Sequence, residues 1–126
     1  MKIRIKDNSI RIRLSKSEVE HFGKEGYIES TTAFVSNTLT YALEARPDTL
    51  GHELSADLQN NVITLYIPEK MAKDWVATDA IGFETNMPLD NGETLYLLLE
   101  KDFKCLDNTN EDQRDNYENP LAFLKN

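Results

Sequence analysis

The chain has a single cysteine, Cys105, in 126 residues, so no internal disulfide framework can form and a structural thiolate zinc site lacks its ligands. Long apolar runs are missing too. The longest, Leu95 to Leu99, has the length of a strand and falls far short of the roughly 20 residues that span a bilayer. The opening residues Lys2, Ile3 and Arg4 alternate charged with apolar and lack the apolar stretch of a secretory signal, so a cytoplasmic location is expected and no membrane partner. Histidine is scarce. His21 and His52 are the only bases on offer to Cys105, and no nucleophile–base–orienter set can be assembled from them. A glycine-rich phosphate loop, a His-Glu-x-x-His pair and a serine elbow are all absent from the sequence. The reading is a non-enzyme without a cofactor.

Positive charge is in deficit: 14 Lys and Arg stand against 22 Asp and Glu, a net charge of -8. That balance works against non-specific binding to nucleic acid, which needs an electropositive face to displace counterions. The charge is unevenly spread, however. Residues 1 to 14 carry Lys2, Arg4, Lys6, Arg11 and Arg13 against Asp7 alone, while the end of the chain is rich in Asp, Asn and Glu.

What is present is pattern. "KIRIKDNSIRIRL" alternates apolar and cationic residues on both sides of Asp7, Asn8 and Ser9, which predicts two half-buried strands joined by a tight turn, with Ile3, Ile5, Ile10, Ile12 and Leu14 inward. "SKSEVEHFGKEG" predicts a short helix: Ser15 and Glu18 have capping-box spacing, Val19 and Phe22 face in, and Gly23 or Gly26 suits a left-handed stop. "YIESTTAF" and "TLTYALEA" follow as strands. The same order returns at an offset of 53, which sets Ile10, Ile12 and Leu14 on Ile63, Leu65 and Ile67, Phe22 on Trp75 and Ile28 on Ile81. After an insertion around Pro88 to Gly92, Thr38, Leu39, Leu43 and Glu44 fall on Thr94, Leu95, Leu99 and Glu100. The expected fold is therefore α+β and β-dominated: two tandem ββαββ units, 1–47 and 52–103, in a single domain over 1–105. Each unit is too small to bury its own apolar faces, so the two close one pseudo-twofold barrel. An acidic, loosely ordered tail over 106–126 completes the chain. Trp75, Phe22, Phe34, Phe83 and Tyr96 are expected at core positions.

"VITLYIPEKMAKDWVATDAIGFET" carries a strand, Pro68, a short amphipathic helix and an acidic turn into the next strand, and here the sequence resembles the swapped-hairpin barrels of the AbrB-like family. The first unit departs by having Ser15 in place of the Pro. The resemblance implies hairpins interleaved in one barrel; the family's usual DNA-binding role does not carry over with it, and DNA binding through the basic hairpin stands only as an alternative reading. The whole chain, including "LEKDFKCL" and "EDQRDNYENP", also resembles a family of small uncharacterised bacterial proteins, a domain of unknown function, which implies no activity, cofactor or substrate.

Four groups of residues remain as candidates. Lys2, Arg4, Lys6, Arg11 and Arg13 form a cationic stripe for an anion, a nucleic acid or a partner protein; the plain alternative is a solvated outer face. Asp112, Asp115 and Glu118 are expected to contact the barrel, with Arg4, Arg11 and Arg13 as their partners, and together with Glu111 they are the hard oxygen donors a metal-dependent enzyme would need. Glu44 and Glu100 occupy equivalent positions and are expected to approach across the pseudo-twofold. Cys105 reads as a thiol at a strand end. The favoured reading is a small cytoplasmic binding or protein-interaction module for a protein or small molecule of unknown identity. An AbrB-like DNA-binding regulator is the alternative, and a carboxylate or metal-dependent enzyme the second.

Overall fold

The computed structural model describes residues 1–103 and 114–118. Eight strands and two helices alternate along the chain. Strands β1 (Lys2–Lys6) and β2 (Ser9–Leu14) form the basic hairpin, closed by Asp7 and Asn8, with Asp7 in the left-handed region at φ 49°. Helix α1 (Lys16–Glu25) starts where Ser15 leaves the strand, and the Glu18 carboxylate accepts the Ser15 N–H at 2.8 Å. Gly26 stops it at φ 70°, a conformation that costs a side-chain-bearing residue about 1 kcal/mol, and gives its N–H to the Phe22 carbonyl at 2.7 Å. Strands β3 (Tyr27–Ala33) and β4 (Thr38–Arg46) follow as a hairpin. A single 3-10 turn, Asp48–Leu50, leads to β5 (Ser55–Gln59) and β6 (Val62–Pro68), joined through Asn60 and Asn61, both at positive φ as a tight primed turn requires. Helix α2 (Glu69–Ala77) begins directly after Pro68, and β7 (Gly82–Pro88) and β8 (Thr94–Lys101) end the domain.

The two hairpins that flank each helix do not pair with one another. β2 lies parallel to β8, so one sheet runs β1-β2-β8-β7; β4 lies parallel to β6, so the other runs β3-β4-β6-β5. The protein is thus β-dominated α+β with two four-stranded sheets. Alternation turns one set of side chains inward from each sheet. In the first sheet Ile3, Ile12, Leu99 and Phe83 form one cross-strand row and Ile5, Ile10 and Leu97 the next. Ala56, Leu65, Leu43 and Ile28 form the matching row in the second. Ile12, Leu14, Leu43, Leu65, Ile67, Leu97 and Leu99 are fully buried, and Phe22 of α1 meets Trp75 of α2 edge to face at 6.2 Å over one end of the core. Trp75 satisfies its indole N–H on the Ile81 carbonyl at 2.9 Å.

Four placements differ from the sequence reading. Ile5, expected inward, is 56% exposed, because it sits near the end of edge strand β1, which has a neighbouring strand on one side only. Ile81 lies before β7 and is half-exposed, whereas Phe83 takes the place opposite Leu99 that Ile28 takes opposite Leu43, because the chain uses two more residues between Trp75 and that place than between Phe22 and its counterpart. Phe34 sits past the end of β3 at the hairpin tip, where no second layer reaches it, and is 61% exposed. Tyr96 belongs to the outward set of β8 and faces away from the core.

Candidate functional site

The register of the first hairpin gathers its cations. Lys2 is opposite Arg13, Arg4 opposite Arg11 and Lys6 opposite Ser9, so all five project from the outer face of the first sheet. The parallel neighbour β8 continues the same face with Tyr96, Leu98 and Glu100 opposite Ser9, Arg11 and Arg13. Glu100 answers the arginines. Its Oε1 accepts from Arg11 Nε at 2.7 Å and lies 3.5 Å from Arg13 Nε. Asp102, buried just after β8, takes Lys2 Nζ at 3.0 Å and stands 3.9 Å from Arg13 Nη1. Its backbone is fixed on both sides, by its N–H to the Leu14 carbonyl at 2.8 Å and by the Tyr117 N–H to its own carbonyl at 2.7 Å.

Arg4 and Lys6 are left with no ion pair among the described residues. Two shallow depressions open beside them. One of about 220 Å³ is lined by Arg4, Lys6, Ser9, Arg11 and Tyr96, and one of about 210 Å³ by Lys2, Arg4, Arg11 and Arg13. Tyr96 donates its hydroxyl to the Glu84 carboxylate, and this hydrogen bond pushes the phenol pKa up, so the ring presents a neutral, hydrogen-bonding rim at neutral pH. Among the described residues, five cations stand against Glu84, Glu100 and Asp102 on this face, an excess of two positive charges on a chain that is strongly negative overall. The Arg11–Glu100 pair is part-buried and Asp102 is buried, so an incoming anion meets the exposed Arg4 and Lys6 first.

For Asp115 the expected tail contact falls elsewhere. Asp115 accepts the Lys16 N–H on its backbone carbonyl at 2.9 Å and the Ser17 N–H and hydroxyl on its carboxylate, which makes it the cap of α1. Arg11 and Arg13 draw carboxylates from Glu100 and Asp102, while Asp115 lies against the first turn of α1. Tyr117 lies beside Phe103 with ring centroids 5.8 Å apart and under Lys101 Nζ at 5.4 Å. Lys101 faces inward, buried, and gives Nζ to the Thr78 carbonyl at 2.7 Å; burial pushes its pKa down against the pull of Asp79. Glu118 is exposed, and Asp112, Glu111 and Cys105 lie outside the described residues.

Glu44 and Glu100 are not brought together. Alternation places each on an outer face, one per sheet, with the core between, and Glu44 is flanked by Tyr27 and Tyr66. His21 and His52 are both exposed on separate elements. Among the described residues no group of His, Cys, Asp and Glu could hold a metal, and no helix is long and apolar enough to cross a membrane. Asp102 was missed from the sequence as a site residue. The available signal was its place two residues after Glu100, which continues the outward set of the last strand.

Fold and face together define a small β-dominated α+β domain that carries a basic sheet surface edged by its own carboxylates. A family model described as a family of unknown function (DUF7009) matches residues 1–121, and the chain belongs to that family. No curated protein matches the chain, and neither does any solved structure.

Proposed function

We propose that the protein is a non-enzymatic cytoplasmic binding module whose basic sheet face takes an acidic segment of a partner protein. The observation that carries this reading is the pair Arg4 and Lys6, two exposed cations with no ion pair among the described residues, set in the depression that they share with Arg11. A net excess of two charges suits a short acidic peptide better than duplex DNA, whose affinity grows with each phosphate neutralised. The alternation of all five cations on one face also favours a second reading, an AbrB-like DNA-binding regulator. The same proposal takes the chain as two tandem ββαββ copies closing one barrel. It is supported by the strand orders, since advancing every strand of β1-β2-β8-β7 by four, cyclically, reproduces the order of the second sheet.

The test is fluorescence anisotropy with a labelled eight-residue Asp/Glu peptide and with labelled random duplex DNA, at about 50 and about 200 mM salt. Peptide binding that is lost in the double variant Arg4→Ala, Lys6→Ala supports the module. Binding only to DNA, falling by orders of magnitude between the two salts, would replace it by the regulator. Binding to neither probe retires both.

A further inference from the structure

Among the described residues, four strands lie at sheet edges: β1, β7, β3 and β5. Edges left unguarded invite another strand, and proteins protect them with charge, proline or shortness. β1 carries Lys2, Arg4 and Lys6; β7 carries Glu84 and ends in Pro88; β5 has five residues, Asp57 among them. β3 differs. Its seven residues include a single charge, Glu29, and it runs into Phe34 and the fully exposed Val35. From Thr31 onward every residue of it is exposed.

The backbone directions of this edge follow from two hydrogen bonds. The Ala45 N–H reaches the Gly26 carbonyl at 2.9 Å and the Phe34 N–H reaches the Asn37 carbonyl at 2.8 Å, so the even-numbered residues turn their polar groups toward β4. Tyr27, Glu29, Thr31 and Ala33 therefore aim theirs at the open side. We infer that this edge pairs with β3 of a second copy of the chain, antiparallel, with the twofold axis at Thr31.

That register is selected by its side chains. It sets Phe34 opposite Ile28 of the second copy, brings Val35 beside its Tyr27, and places Glu29 opposite Ala33. Centring on Ser30 instead would put Phe34 against Gly26, and centring on Thr32 would put it against Ser30, so only the Thr31 register covers the exposed aromatic with an apolar partner. The two Glu29 residues then stand four positions apart along the strands, about 13 Å, beyond the screening length of about 8 Å at physiological salt. An edge of this length buries area at the low end of specific interfaces, below about 1,200 Å², which implies a reversible dimer with Kd in the range of roughly 1 μM to 1 mM. Each copy carries a net charge of -8, so the dimer tightens as salt rises. Salt has the opposite effect on an acidic partner at the basic face, and the two proposals stand or fall separately.

The experiment is sedimentation equilibrium of the full chain over about 1 μM to 1 mM, at about 50 and about 500 mM salt, with Thr31→Lys and Thr31→Glu alongside. Thr31 is exposed and meets its own copy at the axis, so like charges there oppose one another directly. The expected result is a wild-type mass rising to that of a dimer, more readily at high salt, with each variant monomeric alone and a one-to-one mixture of the two variants dimeric again. Trp75 fluorescence confirms that both variants are folded. A dimer that persists in either variant, or a mixture that stays monomeric, overturns the inference. A wild-type chain that is monomeric throughout also overturns it and leaves the edge to an extended segment of another protein.

Discussion

At Gly82 the constraint is room. It stands opposite Glu100 at the start of β7, where a Cβ would lie 1.9 Å from the Leu99 carbonyl oxygen, a backbone atom that cannot swing aside. Gly82→Ala must push β7 away from β8 or break the ladder between them, and either route opens the row formed by Phe83 and Leu99. The expected cost is about 1–3 kcal/mol, the range for overpacking a well-filled interior. Thermal unfolding followed by circular dichroism checks it, with Tm falling by roughly 4–8 °C per kcal/mol for a domain of this size. An unchanged Tm would mean that the strand pair has slack the geometry does not show. Nothing in the sequence flagged this residue, since "IGFETN" reads as a strand whichever small residue stands second. The basic residues were more legible: the period of two in "KIRIKDNSIRIRL" placed all five on one face, as the register has them. Their partners were not, because Glu100 lies on a strand 89 positions later than Arg11, with Asp102 just past its end, and a parallel pairing across that distance has no local signature.

The elements themselves were legible because each has its own punctuation. Gly26 ends α1, Pro68 precedes α2, and Asp7-Asn8 and Asn60-Asn61 close the two short hairpins. The segment 114–118 had no such marks, and its place depends on what α1 lacks. Helix α1 starts with N–H groups that need acceptors, and Asp115 supplies two. Hydrogen bonds from Ser15 and Ser17 hold the Asp115 carboxyl below the ordinary aspartate range, with Lys16 adding its charge. Burial alone would raise Glu18, one turn on, but the hydrogen bond from the Met1 ammonium, the Ser15 N–H and the ammonium charge outweigh it and bring it down. Both groups have folded-state pKa values below their unfolded ones. Their contribution is therefore present above the unfolded values, about 4, and is lost as pH falls through the lowered ones. Acid should release the segment before the sheets unfold. Amide exchange of Tyr117, whose N–H rests on the Asp102 carbonyl, is the readout. Its protection should drop below about pH 4, and Asp115→Ala should lower it already at pH 7. Equal protection at pH 3 and pH 7 would show that the ring contacts of Tyr117 hold the segment without the cap.

Across the whole molecule, the exchange of hairpins decides how the chain can be divided. Sequence order suggests a cut in the link between Arg46 and Ser55, where a 3-10 turn sits between two similar halves. The topology makes such halves incomplete: β2 has its partner in β8 and β4 has its partner in β6, so each half holds one hairpin of each sheet and no whole sheet. Phe22 and Trp75, which cap the core together, also come from different halves. Two hairpins that do not pair with each other, with one short helix, cannot bury enough apolar surface to stand alone in water. Fragments 1–50 and 51–126, made separately, should therefore each give a disordered far-ultraviolet spectrum, and Trp75, which only the second fragment contains, should be exposed and red-shifted. Mixed in equal amounts they should recover strand signal and the blue-shifted emission of a fully buried indole. Loop closure contributes only slowly with length, so the cut itself removes little beyond the concentration dependence it adds. If either fragment folded alone at micromolar concentration, its hairpins would have to pair within the half, and the parallel β2–β8 and β4–β6 ladders would not be what specifies this fold.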